Sequence, residues 1–318
     1  ARRALSVSAS PRAVPTPRRA ARHAGMTPGA TTLLGLGRMG SALAGCLLTG
    51  GVPLTLWNRS PARCAAFHGR ATIAPSAAAA CTDSELIIVS LANYSAALEV
   101  LDAVSAAVPL AGRTLVQLTS GSASDARTLQ AWAHMHGLGY LDCAVIAHPQ
   151  AVGGSDAIVL CAGDEALWER HQATLRLFGG TCRYLGEDIG AAATLDCAVL
   201  DYYYGATLAM LHGAALTAAG SLPLTEYFFL VKKLAPALAA TADGAREMIA
   251  REIYAGNACT LDVHVAMLRH IQRMSHDNEL DTRLPDTLVQ AYRKAIAAGY
   301  GEDEIAAVFE VLRRDGER

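Results

Sequence analysis

The chain has 318 residues, 52% of them apolar and 18% charged, with a formal net charge of −2. That length can bury a sizeable core in one large domain or two ordinary ones. The balance of residues excludes a disordered chain and any single-sign charge field suited to nucleic acid or a membrane surface.

The first segment stands apart. Residues 1–25 carry Arg2, Arg3, Arg12, Arg18, Arg19 and Arg22 with no acidic residue, among many Ala, Ser and Pro. A transit peptide has this composition. Met26, just ahead of the first apolar run, favours instead a disordered or non-native leader over 1–28, which stays outside the fold argument.

Short apolar runs then alternate with helical spacing. Strands are expected at 31–36, 53–57, 85–91 and 114–118, and a further short one at 71–73. Helices are expected around 41–49, near Ala65, at 95–108 and at 123–136. Runs at 139–147, 157–162 and 183–185, with a helix over 167–178, extend the pattern. Strands of four to six apolar residues alternating with helices predict βαβ crossovers and a parallel sheet covered on both faces. From about Ile189 every periodic segment is helical, including 260–274 and 288–298. The fold class is therefore α/β: a Rossmann dinucleotide-binding domain over 29–188, then an all-helical domain over 189–318, joined by a long interdomain helix. The run 190–220 holds Asp196, Asp201 and His212, which argues against a membrane span. It reads as a helix buried by protein on nearly all sides.

The eight cysteines stand singly, with no Cys-x-x-Cys pair, as expected of buried thiols in a reducing, cytoplasmic setting. The histidines show no metal-ligand spacing, so no metal is expected.

Gly35-Leu36-Gly37-Arg38-Met39-Gly40 follows the first strand and opens a helix, the context in which a Gly-x-Gly-x-x-Gly turn binds a dinucleotide. Gly35 permits the tight turn, Gly37 lets backbone approach a pyrophosphate, and Gly40 lets helix and strand pack closely. The helix N-terminus favours the phosphates. After the second strand, where an NAD enzyme carries Asp or Glu, the chain has Asn58-Arg59-Ser60. Arg59 suits a 2′-phosphate, with Asn58 and Ser60 adding neutral hydrogen bonds, so the expected cofactor is NADP(H). The same residues also read as an ordinary turn capped by Ser60. Leu91, Thr119 and Ser120, at the carboxyl ends of the next strands, complete the expected cofactor-binding set.

The glycine turn, Tyr140-Leu141-Asp142 and the helical second half resemble the β-hydroxyacid dehydrogenase superfamily. The dehydrogenases of that superfamily use a lysine on the interdomain helix and a Ser-Gly-Gly carboxylate anchor. This chain has neither: its only lysines are Lys232, Lys233 and Lys294, and Ile146-Ala147-His148-Pro149-Gln150 replaces the anchor. Asn58-Arg59-Ser60, Leu118-Thr119-Ser120-Gly121, Ala147-His148-Pro149-Gln150 and Leu185-Gly186-Glu187-Asp188 resemble the imine reductase and reductive aminase branch instead. The resemblance implies Asp196 where the dehydrogenases carry lysine, Tyr204 eight positions on, and Asn93 after a core strand as catalytic residues. It also implies an intertwined homodimer with shared active sites.

The chemistry agrees. A carboxylate pairs with an iminium ion or, protonated, supplies its proton, where an ammonium would repel it. Set in an apolar run, Asp196 should be partly desolvated and its pKa raised; a buried acid satisfied by a neighbouring hydroxyl is the plainer alternative. Asp201 points elsewhere on the helix. In Tyr202-Tyr203-Tyr204, helical geometry slightly favours Tyr203 and the resemblance Tyr204. Asn93 fits a loop role equally well, and His148 could line the pocket. The expected reaction is NADPH-dependent reduction of an imine, or of a carbonyl plus an amine, with no nucleic-acid or membrane partner. A hydroxyacid or aldehyde oxidoreductase and a non-catalytic NADP-binding sensor are the alternatives.

Overall fold

The structure is a computed structural model that describes residues 30–256 and 258–313. The leader expected over 1–28 lies outside the described residues. The chain forms two compact units, divided between Cys197 and Ala198.

The first unit is built on one eight-stranded sheet. Its strands are β1 (Thr31–Leu34), β2 (Leu54–Trp57), β3 (Thr72–Ile73), β4 (Leu86–Val89), β5 (Thr114–Gln117), β6 (Gly139–Ile146), β7 (Ile158–Gly163) and β8 (Thr181–Tyr184), in the order β3-β2-β1-β4-β5-β6-β7-β8. The chain reverses direction across the sheet between β1 and β4, which opens a crevice beyond their carboxyl ends. β1 and β4 are paired in parallel register, Leu34 opposite Val89. Alternation along each strand divides the core. Leu33, Leu56, Ile88, Val116 and Leu141 fill one face, and Leu34, Val89, Leu115 and Tyr140 the other.

Helix α1 (Arg38–Thr49) lays Leu43, Ala44 and Leu47 on the first face. A five-residue helix α2 (Ala77–Cys81), not expected from the sequence, joins α3 (Tyr94–Ser105) and α4 (Ala123–Met135) over the second. Helix α5 (Glu165–Leu175) precedes β8. The segment around Ala65 is a 3-10 stretch, Pro61–Phe67, rather than an α-helix. Proline at its first position sets the turn, and no long apolar stripe rewards further winding.

One expectation needs correction. The sheet is not wholly parallel, because β7 runs antiparallel to β6, with Cys143 opposite Cys161. A parallel return needs a crossover of a dozen or more residues, usually helical. Between Ile146 and Ile158 there is only a 3-10 turn, Pro149–Ala151, so the strand folds straight back.

Helix α6 (Ala191–Ala219) begins in the first unit. Its start is fixed by Asp188, whose carboxylate accepts from Gly190 N–H at 3.1 Å. Ala192 packs against Ala144, Leu160 and Ala162 of the sheet. This packing carries the division of the units past residue 188.

The second unit holds the rest of α6, then α7 (Leu224–Arg251), α8 (Leu261–Asp277), α9 (Arg283–Ala295) and α10 (Phe309–Arg313). Tyr254, Leu261, Ala295, Ala307 and Val311 form its small core. Its described residues contain no strand. The expectation that α6 is buried on nearly all sides does not hold within one chain: Ala192, Ala193 and Asp196 are its only buried residues. No described helix is long and apolar enough to cross a membrane.

Candidate active site

The glycine turn is shaped by close contacts. Gly35 has φ +104°, and a Cβ there would lie 2.1 Å from the Ser90 carbonyl oxygen. Only glycine combines that angle with that approach. A Cβ on Gly40 would lie 2.1 Å from the Gly35 carbonyl, so α1 packs directly on the turn. Gly37 is the N-cap of α1 without a side-chain cap, and the first turn of the helix contains no acid. Its open N–H groups and positive end favour an anion.

A cavity of about 520 Å³ lies beside this turn, lined by Gly37, Arg38, Met39, Asn58, Arg59 and Ser60 among others. Arg63 and the carboxylate Glu99 also reach it. Three guanidinium groups against one carboxylate suit a ligand with several phosphates. A 2′-phosphate needs a forked cation at the end of β2, and Arg59, with no ion pair among the described residues, stands there. Gly37 carries no side chain to block a pyrophosphate. These residues therefore fit NADP(H).

Two details were not legible in the sequence. Asn58 is committed to the protein: its Oδ1 accepts from Leu36 N–H at 2.8 Å and its Nδ2 donates to the Ser60 carbonyl at 3.0 Å. It shapes the turn rather than standing ready for a phosphate. Arg63 was missed, although it follows Arg59 by four residues on the 3-10 stretch. Its guanidinium donates to the Leu36 carbonyl at 3.4 Å, which brings it over the glycine turn.

Beyond β4 and β5 the expected residues take definite places. Leu91 N–H donates to Thr119 Oγ1 at 3.0 Å, tying the two strand ends together. Asn93 is the N-cap of α3, its Oδ1 accepting from Ala96 N–H at 2.8 Å. Its amide N–H groups are thus the part that could meet a ligand.

Asp196 is 3% exposed, and its Oδ2 has no hydrogen-bond partner among the described residues. Burial raises its pKa, and a side-chain hydrogen bond with Ser120 lowers it. The next residue on α6, Cys197, donates from Sγ to the Gly121 carbonyl at 3.4 Å. Asp196, Ser120, Thr119 and Leu91 thus form one linked group at the carboxyl ends of the strands. Tyr204 belongs to the second unit, where it is 65% exposed and meets Tyr203 edge-on at 5.5 Å. Tyr203 is also largely exposed, and His148 precedes the 3-10 turn at Pro149.

Behind this group lies a buried cluster. Asp142, on β6, is 1% exposed, and its Oδ1 accepts from both Tyr94 Oη and, at 2.9 Å, Tyr140 Oη. Burial pushes its pKa up to about 7; the two phenols oppose the rise and the nearby Asp196 adds to it. The sequence offered Tyr140 and Asp142 only as part of a short motif, and Tyr94 not at all.

Comparison with known proteins agrees with this architecture. Residues 30–186 match the NAD binding domain of 6-phosphogluconate dehydrogenase, and residues 188–314 the NADPH-dependent reductive aminase-like C-terminal domain. The chain is 29% identical to the NADPH-dependent reductive aminase of Aspergillus oryzae over 88% of its own length and 96% of that protein. Among solved structures, the imine reductase from Myxococcus stipitatus in complex with NADP+ superposes with a TM-score of 0.84 at 31% identity, covering 89% of this chain and 99% of that one. The reductive aminase from Aspergillus terreus in complex with NADPH and ethyl levulinate gives a TM-score of 0.84 at 27% identity, covering 90% and 100%.

Proposed function

Given that the chain belongs to the imine reductase family and is an NADP(H)-dependent oxidoreductase, we propose that it reduces C=N bonds with Asp196 as the acid or the iminium-stabilising carboxylate. The observation that carries this reading is a buried acid with one oxygen unpartnered, on the helix where a hydroxyacid dehydrogenase carries lysine. When bound, NADPH supplies the hydride.

The chain's own residues do the rest. Arg59 and Arg63 would hold the phosphate at the adenosine end, and the α1 N-terminus would meet the pyrophosphate. The tie between Leu91 and Thr119 fixes the two strand ends at the crevice. Asp196 faces a developing amine nitrogen. Protonated, it gives up its proton to that nitrogen; ionised, it balances the iminium charge. Low exposure strengthens either interaction, because little water screens it. The amide of Asn93 serves as a further substrate contact in this reading, and Tyr204, in the second unit, remains a separate candidate.

A homodimer with shared active sites completes the proposal. Much of α6, α7 and α8 is apolar yet exposed in one chain, including Leu208, Leu211, Leu234, Leu238, Met267 and Ile271. A second copy related by two-fold symmetry covers such faces.

The decisive assay follows NADPH oxidation with a cyclic imine such as 1-pyrroline, alongside NADP+ reduction with 3-hydroxyisobutyrate. Turnover of the imine alone is the expected result. Turnover of the hydroxyacid alone would reinstate a dehydrogenase, and cofactor binding without turnover of either substrate would favour a sensor.

A further inference from the structure

The cavity beside the glycine turn holds one group that phosphates do not explain. Glu99, on α3, lines it together with Arg38, Arg59 and Arg63. Among the described residues Glu99 makes no ion pair and no hydrogen bond, with these arginines or with any other group. A phosphate is repelled by an open carboxylate. Such a group is useful only to a hydrogen-bond donor on the ligand. Ala96 and Val100 line the same cavity. Residues 96, 99 and 100 share one side of α3. The side bearing Ala97, Leu101 and Val104 is buried against the sheet. This wall of the cavity is thus one small and one branched apolar side chain beside a single carboxylate.

We propose that this wall reads the base of the cofactor: Glu99 accepts a hydrogen bond from the exocyclic amino group of adenine and so selects adenine over oxo-purines. This rests on the reading that Arg59 takes the 2′-phosphate. The base on the ribose that bears this phosphate is adenine, and Arg59 and Glu99 line the same cavity. Adenine is flat, with apolar faces and an edge that carries an amino donor. Ala96 and Val100 offer apolar surface to a face, and neither is long enough to fill the space. An ionised carboxylate only accepts, so it matches an amino group and repels an oxo group. Hypoxanthine and guanine carry an oxo group at that position. The other polar groups of the wall cannot make this distinction. Guanidinium groups only donate, and the hydroxyls of Ser60 and Ser90 both donate and accept. Asn58 is committed to the turn.

The probe is reduced nicotinamide hypoxanthine dinucleotide phosphate, which exchanges the amino group for an oxo group and keeps the phosphates and the nicotinamide. Dissociation constants for this analogue, NADPH and NADH are measured by fluorescence titration with no substrate present. The wild type should bind NADPH about tenfold more tightly than the analogue, the scale of one hydrogen bond to a charged acceptor. Glu99→Gln presents an amide that can accept from an amino group or donate to an oxo group, so the two should bind within about twofold of each other. Glu99→Ala leaves neither group a partner and should also lose the discrimination, with weaker NADPH binding. Both variants should keep the preference for NADPH over NADH, because Arg59 is untouched. A wild type that does not distinguish the two bases would overturn the proposal, as would a base ratio unchanged in both variants. So would a change in the NADPH-over-NADH ratio larger than the change in the base ratio, which would make Glu99 a charge acting on the phosphate. Unchanged NADPH affinity in Arg59→Ala would instead overturn the placement of the adenosine end, so the two failures are separable.

Discussion

Leu36 N–H donates to Asn58 Oδ1 at 2.8 Å, so the side chain at the end of β2 holds the glycine turn at the end of β1. Neighbouring residues of one short motif thus stand differently: Asn58 shapes the turn, and Arg59 lines the cavity beside it. Arg59→Ala should weaken NADPH binding by about 1.5–3 kcal/mol, the range for a charge-assisted contact, and leave NADH binding nearly unchanged. Asn58→Ala should weaken both cofactors alike by about 1 kcal/mol. Fluorescence titration with each cofactor checks both. Equal affinity of the wild type for NADPH and NADH would remove Arg59 from the site.

Asp196→Asn and Asp196→Ala should lose roughly 10²-fold or more in turnover, the contribution of a positioned acid. NADPH affinity should survive, because the phosphate contacts are elsewhere. Steady-state rates with 1-pyrroline decide the matter. A near wild-type rate would leave Asp196 a structural acid.

Stability should carry opposing pH dependences. Asp142 holds its proton in the folded chain up to about pH 7, against 3.8 ordinarily. Between those values the folded state binds more protons, so stability falls as pH rises, by up to about 1.4 kcal/mol per unit for one group. Asp196, also raised, acts in the same sense. His171, desolvated and held near Thr114, is pushed down to about 4 from 6.5, so its contribution rises with pH across that window. The two effects oppose each other below about pH 6.5. Melting temperatures measured from pH 4 to 8 should therefore rise more with pH in Asp142→Asn, and fall more in His171→Gln, than in the wild type. Parallel curves for all three proteins would refute this.

Gln117 is fully buried on β5, and neither its Oε1 nor its Nε2 has a partner among the described residues. An unsatisfied buried amide costs about 1–3 kcal/mol. Gln117→Met keeps the shape and removes the polar atoms, so chemical denaturation should show a gain in that range. A loss would show that the amide is satisfied in solution.

The exposed apolar rows of α6, α7 and α8 predict a dimer at micromolar concentration by light scattering. Leu208→Glu with Leu211→Glu should give monomers with little activity. A stable, fully active wild-type monomer would exclude shared sites. Mixing an Arg59 variant with an α8 variant should restore activity if two copies build one site.

The sequence by itself determined the strand and helix alternation, the glycine turn and the expectation of NADP(H), drawn from the charge at Arg59. Each depends on local periodicity or on one residue's charge, and both are written in neighbouring positions. It also singled out Asp196, because a lone acid in an apolar helix is conspicuous. Tertiary structure decided what depends on distant partners. It turned β7 antiparallel, since too little chain separates it from β6 for a crossover. It gave Asn58 to Leu36 and Asn93 to the start of α3. It brought Tyr94 onto Asp142, 48 positions away. No periodicity encodes such meetings. They arise because parallel strands place their carboxyl ends side by side, where side chains from separate segments share one poorly solvated space.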